Sequence, residues 1–374
     1  MKRMGWQAVV GVTIGVAAAL LIKSAIAPAA QPAGAMLGEY GGPIKGVVMQ
    51  YASPAPEVLQ VYQQFLAKLP EDAAVTMICA DGKARDELRQ GLGETLFKRL
   101  DVVVVNHVMT PWSRDRWYAE AMATGSTGIT TIVPPCEELA AGSWRARAGD
   151  ALLAADLQRN RPAQFRMRRS LLAFDAGDFL ADGRHVFVSP SVLLRNMQRT
   201  AHTRDQLAAQ LERELGHTPV LLEHAPLHHV GMYMMSAGRK RMVVGDPSLA
   251  NKLLGDARPD SIKNLPGGPN FSDAMQKQFD SVAEATAKAG FEVVRIPCVP
   301  SHDKPYITYV NVILDDREGA WTVYMPVYDG LEAINDAAAA TWQAMGWRVE
   351  RINCTGVYHD GGTLHCLVNV YARG

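Results

Sequence analysis

Segments with strand character alternate with segments of helical period along the whole chain, and the strands outnumber the helices by about two to one. That ratio constrains the fold more than any other feature. One helix per strand would build a doubly wound parallel sheet or an eightfold barrel. The excess of strands predicts instead a repeated unit of three strands and one helix, with room for about five such units beyond residue 40. No sequence repeat of fixed period accompanies them, so the repetition is one of architecture. Helices are expected over residues 56–69, 83–91, 137–158, 203–215, 273–289 and 329–345, and the last strand over 363–371. Pro56 suits a first helical turn, and Gly290 and Gly346 suit helix stops. Residues 255–273 form the longest stretch with neither period. Rich in Pro, Gly, Asn and Asp, it reads as a lid or as a plain surface excursion. No Pro/Ser-rich linker divides the chain, which predicts a single α/β domain over residues 41–374.

Of the 374 residues, 48% are hydrophobic and 20% charged, enough apolar material for a sizeable core. These values exclude a disordered chain, a collagen-like chain and a protein of many membrane spans. Lys+Arg and Asp+Glu both number 38, so the formal charge is zero. Such a balance speaks against a nucleic-acid footprint and against a polybasic membrane anchor. At the N-terminus, Lys2 and Arg3 precede an uncharged run from Ala8 to Ile22, shorter than the roughly 20 residues of a spanning helix. A-x-A patterns ending at Ala27, Ala29 and Ala35 follow, and Pro28 disfavours the first of them. Residues 1–40 are therefore expected to be an export signal or, given Lys23 at the end of the run, an uncleaved anchor, standing outside the fold. The domain is expected to act outside the cytoplasm, periplasmic or secreted, and to meet a membrane only if that segment is retained.

Five cysteines (Cys79, Cys136, Cys298, Cys354 and Cys366) leave at least one thiol free in an exported protein. No C-x-x-C pair supports a zinc ribbon or a redox motif. G-x-S-x-G, H-E-x-x-H, a Walker A loop and G-x-G-x-x-G after a strand are likewise missing. The expectation is an activity with no metal and no cofactor.

Four segments concentrate side chains able to do chemistry. In Gly361-Gly362-Thr363-Leu364-His365-Cys366, two glycines let another group approach the backbone just ahead of a cysteine. As strand, this segment would point His365 and Cys366 to opposite faces, so His365 is not the base for that thiol. Trp112-Ser113-Arg114-Asp115-Arg116-Trp117 sets three charges between two indoles, and a carboxylate such as Asp115 suits the bidentate geometry of a guanidinium. Asp175-Ala176-Gly177-Asp178 brackets a small-residue step, followed by the hairpin signal Asp182-Gly183. His228-His229-Val230-Gly231 enters a strand. Each segment alone reads equally well as structure: a buried cysteine, an ion pair, a turn, a core histidine.

In this order the four resemble the motifs of the guanidino-group-modifying superfamily of pentein fold, nearest to its agmatine deiminase and bacterial peptidylarginine deiminase branch. W-x-R-D falls at residues 112–115, an acidic-G-G step at 175–178, H-x-D at 229–231 and G-G-x-x-H-C at 361–366. The resemblance implies an α/β propeller of five strand-rich αβ units around a pseudo-fivefold axis, with the site in the central channel. It also implies a hydrolase acting on a C–N bond of a small guanidino compound or of a peptide's arginine side chain. The family chemistry runs through a cysteine nucleophile and a covalent thiouronium, giving a ureido product and ammonia. By resemblance Cys366 is the nucleophile, His229 the general acid and base, and Asp175 its orienting partner. Asp115 grips the guanidinium, with Asp178, Trp112 and Arg114 beside it. His228 is the rival base. Three departures accompany the match: one glycine of the pair is Ala176, the aspartate after the histidine is Gly231, and Arg116-Trp117 replaces a small residue and alters the pocket wall. They keep two alternatives open, a non-catalytic pentein that binds an arginine-like ligand and an amidinotransferase.

Overall fold

The structure, a computed structural model, describes residues 34–122, 128–135, 145–256 and 258–374. Five small sheets follow one another with the same wiring: an antiparallel pair, a helical crossover, then a strand parallel to its predecessor. The first contains β1 (Ile44–Tyr51), α1 (Pro56–Lys68), β2 (Ala74–Cys79), α2 (Gly82–Phe97) and β3 (Leu100–Val104), all three strands parallel. The second runs β4 (Tyr118–Ala119), β5 (Ile129–Val133), α3 (Arg145–Asp150), α4 (Leu153–Asn160) and β6 (Phe165–Arg169). Next come β7 (Phe179–Asp182), β8 (His185–Val188), α5 (Pro190–Asn196), α6 (Arg204–Leu215) and β9 (Thr218–Leu221). The fourth unit holds β10 (Met234–Gly238), β11 (Arg241–Asp246), α7 (Pro247–Leu254), α8 (Asp260–Lys263), α9 (Asp273–Lys288), β12 (Glu292–Pro300) and β13 (Tyr306–Thr308). The fifth is β14 (Ile313–Arg317), β15 (Ala320–Val327), α10 (Glu332–Ala344) and β16 (Arg348–Asn353). One helical turn, α11 (Leu364–Leu367), leads into β17 (Val368–Arg373). β17 lies antiparallel on β1, so the two ends of the chain complete the first unit and close the ring.

The wiring follows from the strand chemistry. A parallel pair needs a crossover, and a helix supplies it while covering one sheet face. α1 buries Val58, Val61, Tyr62, Phe65 and Leu66, spaced three and four apart on one face. Each such side chain contributes about 1.5–3 kcal/mol by leaving water. β1 is buried along nearly its whole length, with Lys45 alone exposed. α6 starts in a capping box of Thr203 and Gln206 and stops at Gly216 in the left-handed region.

Several expectations need correction. The expected helix 137–158 is broken: residues 137–144 lie outside the described residues, and the remainder splits into α3 and α4 around Ala151 and Leu152. The segment 255–273 is not a loose lid. It contains α8, buries Ile262 and Leu265, and is tied down by Asn270 N donating to Pro300 O at 2.7 Å. The expected strand 363–371 begins with α11 and becomes extended only at Val368. The boundary at residue 40 falls too late, because Ala35, Met36 and Glu39 are buried and Met36 N donates to Leu215 O at 2.8 Å. Residues 1–33, on which most of the expected export signal or anchor falls, lie outside the described residues, as does Cys136. Cys79, Cys298, Cys354 and Cys366 are free thiols. Burial pushes Cys79 up to about 12 and raises Cys298 and Cys354 as well, which leaves those three inert. Among the described residues no helix is long and apolar enough to cross a membrane.

Candidate active site

Each of the five units begins with a loop that leads into its first strand, and all five loops meet. Cys366 stands two residues before β17 and Asp115 three before β4. Asp175 and Asp178 precede β7, His229 precedes β10, and Asn311 stands two before β14. Contacts join neighbouring loops in a ring. Arg114 N donates to Cys366 O (3.2 Å), Ala176 N to Asp115 O (2.6 Å) and His365 N to Asn311 O (3.2 Å). Asn311 Nδ2 donates to Gly231 O at 3.0 Å. Gly177 closes the remaining gap, since a Cβ there would lie 2.5 Å from His229 Nδ1. Gly362 plays the same part beside the thiol, where a Cβ would meet Trp112 Cζ3 at 2.7 Å and Cys366 Cβ at 3.1 Å.

These loops enclose a cavity of about 640 Å³ lined by Cys366, His229, Asp115, Asp175, Asp178 and Trp112, among others. His229 is the centre of the arrangement. It faces the same cavity as the Cys366 thiol, which is among the groups that favour its charged form. Its Nδ1 is 3.8 Å from Asp115 Oδ1, and its Nε2 is 3.8 Å from Asp175 Oδ2. Burial disfavours its charge, but Asp115, Asp175 and the thiol outweigh that and raise its pKa well above the ordinary value. Asp175 is opposed by burial in the same way, yet His229, Arg147 and Arg116 draw it well below the carboxylate range.

His228, the rival base, is engaged differently from His229. His228 accepts from His229 N through Nδ1 at 2.8 Å, and its Nε2 meets Lys304 O at 2.8 Å. Both ring nitrogens are thus occupied, and burial with the neighbouring His229 pushes its pKa down to about 3. A neutral imidazole with no free nitrogen is not a base for Cys366.

Two residues sit differently from expectation. Arg114 does not face the cavity. Its Nη2 donates to buried Glu39 Oε1 at 2.5 Å, and Glu39 Oε2 lies 3.0 Å from His365 Nε2. Arg114 and Asp115 are consecutive in a turn closed by Asp115 N donating to Trp112 O at 3.3 Å, and their side chains leave it in different directions. Trp117 is fully buried in an apolar cluster with Val48, Ile78 and Phe165, and so forms no pocket wall; its neighbour Arg116 does line the cavity. Asp178 is present but fully engaged: Ser189 Oγ (2.9 Å), Arg195 Nη1 (2.7 Å) and its own loop's Asp175 N (3.0 Å) all donate to it.

Sequence reasoning missed three residues that shape the site. Asn311 is buried; its Oδ1 accepts from Thr363 Oγ1 at 2.6 Å and His365 N at 2.9 Å, and its Nδ2 reaches Cys366 Sγ at 3.5 Å. Glu39 lay in the stretch assigned to the leader. Arg147, inside the expected long helix, pairs with both Asp115 and Asp175. The departure at Gly231 is real in space too, since a Cβ there would meet His365 Nδ1 at 2.9 Å.

No protein-family model matches the sequence, and no curated protein matches it. Solved structures do. Agmatine deiminase of C. jejuni is 14% identical with a TM-score of 0.64, covering 90% of this chain and 95% of that one. Agmatine deiminase of Enterococcus faecalis is 15% identical with a TM-score of 0.65, covering 90% and 94%. A peptidyl-arginine deiminase structure is 15% identical with a TM-score of 0.64, covering 89% and 97%. The five-unit α/β ring of this chain is the pentein fold that these deiminases share.

Proposed function

We propose that this protein hydrolyses a C–N bond of a guanidino compound, with Cys366 as nucleophile. The observation that carries this is a thiol and an imidazole lining one cavity large enough for a small substrate, with two carboxylates 3.8 Å from the imidazole that favour its charged form. An adjacent imidazolium favours the thiolate, the reactive form of cysteine.

The Cys366 thiolate attacks the guanidinium carbon, and a C–S bond forms. The C–N bond to the leaving amine breaks, with the proton of His229 passing to the departing nitrogen. Neutral His229 then takes a proton from water, whose oxygen attacks the thiouronium carbon. The C–S bond breaks, the proton of the added hydroxyl leaves to solvent, and the thiolate returns with a neutral ureido product. Asp175 orients and charge-stabilises His229, and Asp115 Oδ1 holds a guanidinium nitrogen. Two supports stand behind this assignment: the fold shared with the agmatine deiminases, and the four motifs meeting at one cavity.

Purified protein assayed for ureido product against arginine, agmatine, methylated arginines and arginine peptides is expected to turn over at least one of them. Cys366→Ala abolishes that turnover with the melting temperature unchanged. Product formation by Cys366→Ala refutes the assignment. Amidine transfer to an added amine without ammonia release points to an amidinotransferase instead.

A further inference from the structure

Arg147 occupies the place where a guanidinium-gripping carboxylate should be open. Its Nη1 pairs with Asp115 Oδ2, its Nη2 donates to Asp175 Oδ1 at 3.0 Å, and Asp150 Oδ2 lies 3.7 Å from Nη1. The placement is built. Asp150 anchors α3 by accepting from Thr110 N at 2.8 Å and Thr110 Oγ1 at 2.6 Å. Gly149 presses α3 against the Val108 carbonyl, 1.7 Å from where a Cβ would sit. Asp115 is left with one buried oxygen, Oδ1, that accepts no hydrogen bond among the described residues. No second carboxylate compensates at residue 231, whose side-chain space His365 and Asn311 fill.

The charge around the cavity fits this arrangement. Its lining contains four carboxylates (Asp115, Asp175, Asp178, Asp360) and four permanent cations (Arg116, Arg147, Arg195, Lys304). With His229 protonated and Cys366 as the thiolate, these charges balance, so a substrate tail meets local charges and not a net one. Lys304 is exposed at the rim where this cavity adjoins an outer groove of about 690 Å³, and Asp360 lines both beside it. A substrate with an ammonium tail would bring a second positive charge beside Arg147 and Lys304. A carboxylate tail would meet Lys304.

Resting on the deiminase reading, we propose that Arg147 is a specificity-determining residue: its guanidinium fills the Asp115–Asp175 pair, so a guanidino substrate is held through Asp115 Oδ1 and is favoured when its tail is a carboxylate and disfavoured when it is an ammonium. The test uses agmatine and guanidinobutyrate, which differ at the tail. For the full chain, Arg147→Gln and Arg147→Lys, two readouts are taken: ureido product, and protection of Cys366 from iodoacetamide, read by mass spectrometry at that residue. In the unmodified protein, guanidinobutyrate is expected to protect at a concentration lower by about tenfold or more than agmatine. Arg147→Gln shrinks that ratio by about tenfold, by tightening agmatine, and Arg147→Lys, which keeps a cation beside Asp115, retains most of it. Where product forms, the change falls on KM more than on kcat. Equal protection by the two ligands in the unmodified protein, or an unchanged ratio in Arg147→Gln, overturns the proposal. Protection ratios that follow expectation without any ureido product refute the deiminase reading and leave the role of Arg147 standing.

Discussion

Replacing Glu39 by glutamine tests whether the buried Glu39–Arg114–His365 cluster holds the site together. Glu39 has a side chain only 7% exposed, with one oxygen on Arg114 and the other on His365. Burial alone would raise its pKa, but Arg114, His365 and Arg373 outweigh it and hold the carboxyl at about 2, against an ordinary 4.5. At 1.36 kcal/mol per pH unit, that gap corresponds to about 3 kcal/mol of stability at neutral pH. The folded value lies below the unfolded one, so this contribution is complete above about pH 4.5 and is lost as pH falls towards about 2. Glu39→Gln keeps the shape and removes the charge, leaving the Arg114 guanidinium buried without its counter-ion. Breaking one side of a buried pair costs about 3–5 kcal/mol. Urea unfolding at pH 7 is therefore expected to show Glu39→Gln less stable by about 3 kcal/mol or more, with the difference narrowing steadily below about pH 4.5. A destabilisation under about 1 kcal/mol, or a difference that stays constant down to pH 3, would refute the reasoning.

His229→Ala is expected to lower kcat by about a hundredfold or more, as loss of a general acid does, whereas His228→Ala leaves kcat within about threefold; the reverse order would exchange their roles. Because the folded pKa of His229 is raised, its imidazolium persists above pH 6.5, and the stability it contributes is lost as pH rises through that folded value. Histidine NMR titration reads the first, alkaline unfolding of the unmodified protein against His229→Ala the second. Gly177→Ala places a methyl 2.5 Å from the His229 ring, so it is expected to cost about 1–3 kcal/mol in stability and about a hundredfold in kcat; near-normal kinetics would mean the ring has room to move.

The excess of strands was legible because period-two and buried-run patterns are local, and it pointed to the three-strand unit that the structure repeats. Closure of the ring was not legible. The pairing of Met49 with Val368 joins opposite ends of the chain, and nothing local announces it. The break in the expected helix 137–158 was hidden for a similar reason, since α3 is placed by Asp150 on Thr110 and by Gly149 on Val108, both contacts from another loop. In the site, Cys366, His229, Asp115 and Asp175 were readable as residue types in motifs. Their partners were not. Arg114 and His365 both turn away from the cavity to the same carboxylate, Glu39, while their neighbours Asp115 and Cys366 turn towards it. Sequence adjacency suggests that both members of each pair serve the substrate; the turn at residues 112–115 and the helical turn α11 send the neighbouring side chains in different directions, leaving an inner, reactive residue and an outer, anchoring one.

That separation explains how a ring of five units holds a site to within the tolerance chemistry needs. Each reactive side chain sits within a few residues of a strand already fixed in its sheet, so its backbone has little freedom. The outer residues then tie one loop to the next, with Glu39 bridging the β3–β4 loop to α11 and Asn311 bridging α11 to the His229 loop. Arg147 stands apart from this scheme, because it comes from a crossover helix and touches none of the backbone contacts that close the ring. A change at Arg147 therefore alters the charge a substrate meets while leaving the backbone contacts that close the ring in place, and it reaches His229 only through Asp115 and Asp175. A change at Glu39 or Asn311 must alter both. The expected signatures differ accordingly: a shift in substrate preference for the first, and a joint loss of stability and kcat for the second.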